Sequence, residues 1–208
     1  MVRARAALCC AGLLALLVAC SSNPPPQAGP VGNARGIPAG YTEFRDPGRG
    51  YSLGVPSSWI QINVQSPGAA AAFAQVIKEK PQLTQVFGGD LASLAKQDMS
   101  LLAAGPAGTG LDVVVEPGSG TVTAAQLGTL YSEAQSAYSD AGMKVLSHQV
   151  SSLDGYPALR ISVTYVLGKK TVRETQFIAG VHGNVFALTI VDATPTLTSQ
   201  IAGTVRFL

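Results

Sequence analysis

The last third of the chain constrains the fold most. Leu159, Ile161, Val163 and Tyr165 alternate with Arg160, Ser162 and Thr164, the period-two signature of a strand with one buried face. Val145–Val150 precedes this run across Asp154-Gly155. Thr171–Ala179 follows Gly168-Lys169-Lys170, and Val185–Val191 follows His182-Gly183-Asn184. Short polar and glycine turns between β-rich runs predict an antiparallel meander.

The preceding half adds strands and helices. Tyr41–Phe44 reads as a short strand, Asp46-Pro47-Gly48 as a turn, and Tyr51, Leu53 and Val55 as the next strand, ended by Pro56. Trp59–Val64 follows, with Trp59, the single tryptophan, entering the core. Ser66-Pro67 predicts a helix start, serine as N-cap and proline at the first helical position, with the helix over Ala69–Lys80 and Phe73, Val76 and Ile77 inward. Leu83, Phe87, Leu91 and Leu94 suggest more helix after Pro81. Met99–Ala103 and Leu111–Val115 read as strands around a flexible loop, Gly105–Gly110. Thr123-Ala124-Ala125-Gln126 is a capping box; Leu127, Leu130, Ala134, Tyr138 and Ala141 recur behind it at helical spacing, and Gly142 stands where a left-handed cap belongs. Thr194-Pro195 starts a last helix with Leu197 and Ile201. Strands segregated from helices indicate a single α+β domain over 41–208, an antiparallel sheet with helices packed on it.

Two short motifs carry a resemblance. Tyr51-Ser52-Leu53-Gly54-Val55-Pro56-Ser57-Ser58-Trp59 is similar to the opening of Mog1/PsbP-like domains, and Gly155-Tyr156-Pro157-Ala158-Leu159-Arg160 to a later strand entry of that family. Small actinobacterial lipoproteins of the LpqN/LpqT type look similar in plan. The resemblance implies an α/β/α sandwich, a core position for Trp59, and a binding or assembly module without a shared catalytic site.

The N-terminus reads as a targeting segment. Arg3 and Arg5 precede an apolar run from Ala6 to Val18. That run is shorter than the roughly 20 residues a membrane-spanning helix needs, and with its small-residue exit it marks a secretory signal peptide over 1–19. Leu17-Val18-Ala19-Cys20 resembles the bacterial lipobox. This resemblance implies cleavage before Cys20 and a diacylglycerol (palmitate-type) anchor on its thiol; the alternative is an ordinary signal peptide with an incidental cysteine. Two acyl chains hold a protein at a membrane where one does so only marginally. Residues 20–40, with Pro24-Pro25-Pro26 and the Gly/Pro-rich run behind it, read as a tether.

Cysteine and charge narrow the function. The chain has three cysteines; with Cys9 and Cys10 in the leader and Cys20 lipidated, the domain keeps no thiol for a disulfide, a zinc site or a nucleophile. There are 14 Lys and Arg against 12 Asp and Glu, and without Arg3 and Arg5 the two signs balance. A basic footprint for nucleic acid is absent.

No set of residues nominates a reaction. His148 falls in an expected strand and His182 in a turn, without partners at metal-ligand spacing. Ser57-Ser58 reads as a turn, since no nucleophile elbow surrounds it. Asp112 and Glu116 share one strand face but stand more than about 13 Å apart at the rise of a strand, beyond the separation of glycosidase carboxylates; they read as a solvated edge. The 105–110 loop lacks the lysine of a phosphate-binding loop, Gly118-Ser119-Gly120 is a turn, and Lys169-Lys170 is a charged hairpin tip that discourages edge pairing. The apolar stretch 69–103 reads as core packing or as a groove for an acyl chain or a partner's helix. The expectation is a non-enzymatic cell-envelope module without metal or cofactor. It is lipid-anchored at the outer face of the cytoplasmic membrane and binds another envelope or secreted protein. The alternative is a carrier of a hydrophobic small molecule.

Overall fold

The computed structural model describes residues 36–79, 98–118 and 121–208. The expected leader, Cys20, most of the tether and the helical pattern after Pro81 lie outside them. The described elements run β1 (Tyr41–Asp46), β2 (Tyr51–Pro56), β3 (Ile60–Asn63), α1 (Ala69–Glu79), β4 (Met99–Ala104), β5 (Gly110–Pro117), α2 (Ala124–Asp140), β6 (Lys144–Leu153), β7 (Tyr156–Leu167), β8 (Lys170–Val181), β9 (Asn184–Val191), α3 (Pro195–Gly203) and β10 (Arg206–Phe207).

A seven-stranded sheet in the order β3-β4-β5-β9-β8-β7-β6 is faced by a three-stranded sheet in the order β1-β2-β10. All described pairs are antiparallel. The expected meander is present. From β5 in the middle, α2 carries the chain to the far edge at β6, and three hairpins then return it until β9 pairs with β5. Asp154-Gly155 and His182-Gly183 turn two of these hairpins with both residues left-handed (φ 48° and 86°, 51° and 79°), the type I′ geometry that matches strand twist.

Strand parity sorts the side chains into two cores. One face of the large sheet presents Val114, Leu159, Ile161, Val163, Ile178 and Ala187 to Phe73 and Val76 of α1 and to Leu127, Leu130, Ala134 and Tyr138 of α2. The other presents Leu111, Val113, Phe186, Leu188 and Ile190 to Tyr51, Leu53 and Val55 of β2 and to Ile201 of α3. The α+β expectation holds, with α3 and the small sheet sharing the second face.

Trp59 enters the second core at 6% exposure. Its indole lies so close to Gly105 that a Cβ there would stand 2.4 Å from Cε2. The 105–110 segment, expected to be a flexible loop, is a hydrogen-bonded turn: Gly105 N–H donates to Thr109 O (2.9 Å), and Thr109 donates to Pro106 O through its N–H (3.0 Å) and its hydroxyl (2.7 Å).

The helix ends separate one correct expectation from one correction. Thr123 Oγ1 accepts from Gln126 N–H (3.3 Å), and Gln126 Oε1 accepts from Thr123 N–H (2.8 Å), so the capping box forms. At the other end Gly142 is left-handed (φ 74°), and Met143 N–H reaches back to Tyr138 O (2.9 Å), the Schellman closure. Ser66, by contrast, is no cap. Its hydroxyl donates to Asn63 O (2.8 Å), and α1 begins at Ala69. The serine is spent on the preceding turn, a local alternative that serine hydroxyls favour.

Candidate functional site

Polar residues interrupt the helix-facing side of the large sheet at its centre. Register places Asp112 of β5 beside Thr189 of β9, and Thr189 beside Gln176 of β8. Glu174 lies one pleat along β8, on the same face. From above, the Tyr138 hydroxyl of α2 donates to Gln176 Oε1 (2.8 Å), and Gln176 Nε2 donates to Glu174 Oε1 (2.5 Å). Tyr165 of β7 hydrogen-bonds to Glu174, and Thr189 to Asp112. Glu174, Gln176 and Thr189 are buried; Asp112 is half-buried.

These carboxyls behave unlike surface carboxyls. Desolvation, and next the neighbouring Glu174, push Asp112 up to about 8. Burial also raises Glu174, against the lowering effect of its bonds to Gln176 and Tyr165. Among the described residues no Lys or Arg bridges to either. A buried carboxylate without a cation costs several kcal/mol, so the Asp112 carboxyl holds its proton at neutral pH. A protonated carboxyl donates one hydrogen bond and still accepts others. The Tyr165 phenol is raised as well, first by burial and then by the charges of Glu174 and Asp112. With Asp112 protonated, the cluster offers hydrogen-bond donors and acceptors within an otherwise apolar layer.

This corrects the reading of Asp112 as part of a solvated edge. β5 is an interior strand, flanked by β4 and β9, and Asp112 points toward the helices. Glu116 does share its face, part-buried and raised by burial and by nearby Asp98. The remaining members went unnoticed, yet β8 held a signal. Val172, Glu174, Gln176 and Ile178 fall in one phase of the alternation, so a carboxyl and an amide sit where the pattern demands buried side chains.

The other candidates stay apart from this cluster. His148, exposed on β6, stacks on Tyr131 (ring centroids 3.6 Å). His182 shares a 2.8 Å hydrogen bond between its Nε2 and the Tyr156 hydroxyl. Ser57 Oγ accepts from Thr42 Oγ1 (3.0 Å) in its turn. Among the described residues no group of three or more potential ligands could hold a metal ion, and no helix is long and apolar enough to cross a membrane.

Comparison with known proteins agrees with this architecture. The chain superposes on CyanoP, the cyanobacterial PsbP of Synechocystis sp. PCC 6803, with a TM-score of 0.51 at 14% identity, covering 86% of this chain and 100% of that one. LpqN of Mycobacterium tuberculosis, described as involved in cell envelope biogenesis, gives a TM-score of 0.42 at 16% identity, covering 79% of this chain and 90% of that one. No curated protein matches in sequence. The PsbP family model matches residues 39–200. With antiparallel sheets and helices packed on them in agreement, the chain belongs to the PsbP family.

Proposed function

We propose that this chain is a cell-envelope module, held at the outer face of the cytoplasmic membrane by a diacylglycerol on Cys20, that binds another envelope or secreted protein and catalyses no reaction of its own. The observation that carries it is Leu17-Val18-Ala19-Cys20 at the exit of a short apolar run. The proline-rich tether behind Cys20 supports the reading, since it would let the domain stand clear of the surface. The scatter of His148, His182 and Ser57 over separate parts of the fold also supports it. Acyl transfer and its relatives need a nucleophile, a base and an orienting group brought together.

A second reading is favoured by the Asp112–Glu174–Tyr165 cluster. Ligand sites are largely apolar with a few convergent polar groups, and an apolar helix–sheet layer with the protonated Asp112 carboxyl and its polar neighbours at its base suits a hydrophobic molecule with a hydrogen-bonding head. One experiment addresses both readings: mass spectrometry of the chain purified from membranes. Under denaturing conditions the wild type carries an acyl mass on Cys20 that Cys20→Ala lacks, and the variant leaves the membrane fraction. An unmodified wild type, with Cys20→Ala still membrane-bound, defeats the anchor. Under native conditions a bound small molecule favours the carrier and a bare chain the protein-binding module.

A further inference from the structure

Positive charge is gathered toward one corner of the large sheet, and packing uses only part of it: Arg160 lies over the Phe177 ring (5.7 Å to its centroid) and Lys170 pairs with Asp192. Residues 144–173 hold five cations (Lys144, Arg160, Lys169, Lys170 and Arg173) and one carboxylate, Asp154. Asp154 sits in the β6–β7 turn, away from the β7–β8 tip. There it accepts from Phe207 N–H (2.9 Å) and faces Arg206 (3.9 Å). Across β6, β7 and β8, register places Lys144 beside Thr164 and Thr164 beside Arg173. Directly paired residues share a face, so both cations flank Thr164 on the side opposite the helices. Glu174 points to the other side.

On the same face, one pleat toward the tip, Val166 pairs with Thr171. At 67% exposure it is the most exposed large hydrophobic side chain among the described residues. Lys169 and Lys170 close the tip. Lys170 is paired with Asp192, whose carboxylate also accepts from Arg173 N–H (2.9 Å). Asp140, at the end of α2, is the other nearby acid, and no ion pair joins it to Lys144. The face is thus net positive, with the exposed Val166 among its cations.

We propose that this face docks on a membrane surface carrying anionic lipid headgroups, with Lys144, Lys169 and Arg173 over the phosphates and Val166 entering the interface. The chemistry selects this partner. Cations arranged around an exposed apolar residue match an interface that is negative outside and apolar beneath. An acidic protein partner would instead be met by interleaved charges of both signs that fix a register, and the acid beside this tip, Asp192, is only 15% exposed and already held by Lys170. The proposal draws on the anchoring reading, since an anchored domain is held beside such a surface, but it is testable without the anchor.

The test uses mature chain 20–208 carrying Cys20→Ala, sedimented with vesicles of phosphatidylglycerol and phosphatidylcholine or of phosphatidylcholine alone. Binding to the anionic vesicles is expected to be at least tenfold tighter and to weaken as salt rises toward 0.5 M, where screening is short-ranged. Removing one cation near an anionic surface costs about fivefold, so Lys144→Glu with Arg173→Glu should reduce binding more than tenfold. Val166→Ser should reduce it a few-fold, and Arg45→Glu on β1 not at all. All three substituted sites on the patch are exposed, and unchanged melting temperatures confirm folding. Binding that ignores lipid charge, or survives the double charge reversal, overturns the proposal. So does an absence of vesicle binding in a chain retained by polyglutamate, which would assign the face to acidic protein. Vesicle binding by a chain whose wild type carries no acyl group on Cys20 would defeat the anchor and leave this docking face intact.

Discussion

The two faces of the seven-stranded sheet are built from the same strands, one residue out of phase, and they are chemically unlike. The face under β2, β10 and α3 is closed by aromatic contacts. Phe44, Tyr51, Phe186, Phe207, Tyr156 and His182 form a continuous series with ring centroids 5.1–6.0 Å apart. Its buried polar groups are locally satisfied: the Tyr51 hydroxyl bonds Ser100, and Thr204 Oγ1 accepts from Gly54 N–H (2.8 Å) and donates to Ile201 O (2.6 Å). The helix-facing side keeps two carboxyls, an amide and two phenols in its interior. Apolar burial is where stability comes from, and uncompensated carboxyls lower it. Both faces bury an extensive apolar cluster; the difference teaches that the helix-covered face, which also buries carboxyls, is the one whose stability should respond to pH.

The strongest way to break this division is at Trp59, which belongs to the closed face. Truncating a buried tryptophan typically costs about 3–5 kcal/mol, a large share of the 5–15 kcal/mol that holds a domain together. Trp59→Ala should lower the denaturant midpoint accordingly, and wild-type fluorescence should be blue-shifted. A loss below about 1 kcal/mol, the range of surface substitutions, would mean that Trp59 is not part of the closed face's core.

The polar face should show itself in pH dependence. Asp112 is raised to about 8 from an ordinary value of 3.8. Below pH 4 its proton is bound in both the folded and unfolded chain. Between 4 and 8 the unfolded chain releases the proton while the folded chain keeps it, so stability falls as pH rises, by at most about 1.4 kcal/mol per unit. Glu174, raised in the same direction, adds to the slope. The wild type should therefore be more stable at pH 5 than at pH 8. Asp112→Asn, which keeps the hydrogen-bonding shape without an ionisable group, should flatten the curve and gain stability over the wild type at pH 8, by at most about 5 kcal/mol on the same slope, with little gain at pH 4. Parallel curves for the two proteins would remove the buried carboxyl from the account.

The contrast also explains what the sequence could reveal. The closed face was legible because alternation, turn residues and the Val55-Pro56…Trp59 motif all pointed the same way. The strands of the meander were placed to within a few residues. The polar face was legible only in part. Alternation states that Asp112 and Glu116 share a side but not what lies over it, and only the central place of β5, reached through β9 pairing with Thr189, 77 residues on, makes Asp112 interior. Ser66 misled for a related reason: an Asn-x-x-Ser turn and an N-cap offer the same hydroxyl different partners, and sequence does not decide between them. The basic corner was invisible because Lys144 and Arg173 are neighbours only through Thr164.

The finest comparison sets two threonines against each other, each capping one helix on one face. Thr123 caps α2 over the polar side, and Thr194 Oγ1 accepts from Leu197 N–H (3.2 Å) to cap α3 on the closed side. Loss of either side chain removes a similar bond, with a typical cost of about 1 kcal/mol. The consequences should differ with what each helix is tied to. In α3, Thr198, Ile201 and Ala202 are buried, and Thr204 at its end is bonded to β2. Pro195 and Thr196 in its first turn are exposed, but Leu197 is half-buried against the closed core, so opening that turn withdraws an apolar contact from the core. The first turn of α2 is exposed at Ala124, Ala125 and Gln126, with Leu127 its first fully buried residue, so it can fray while the sheet stays intact. Thr194→Ala should move the global unfolding midpoint by the full amount and speed exchange of the slowest amides in β8 and β9. Thr123→Ala should mainly speed amide exchange in the first turns of α2, with a global shift well under 1 kcal/mol. Equal global shifts would show that the helix layer opens only together with the sheet, and the polar face would then be as rigid as the closed one.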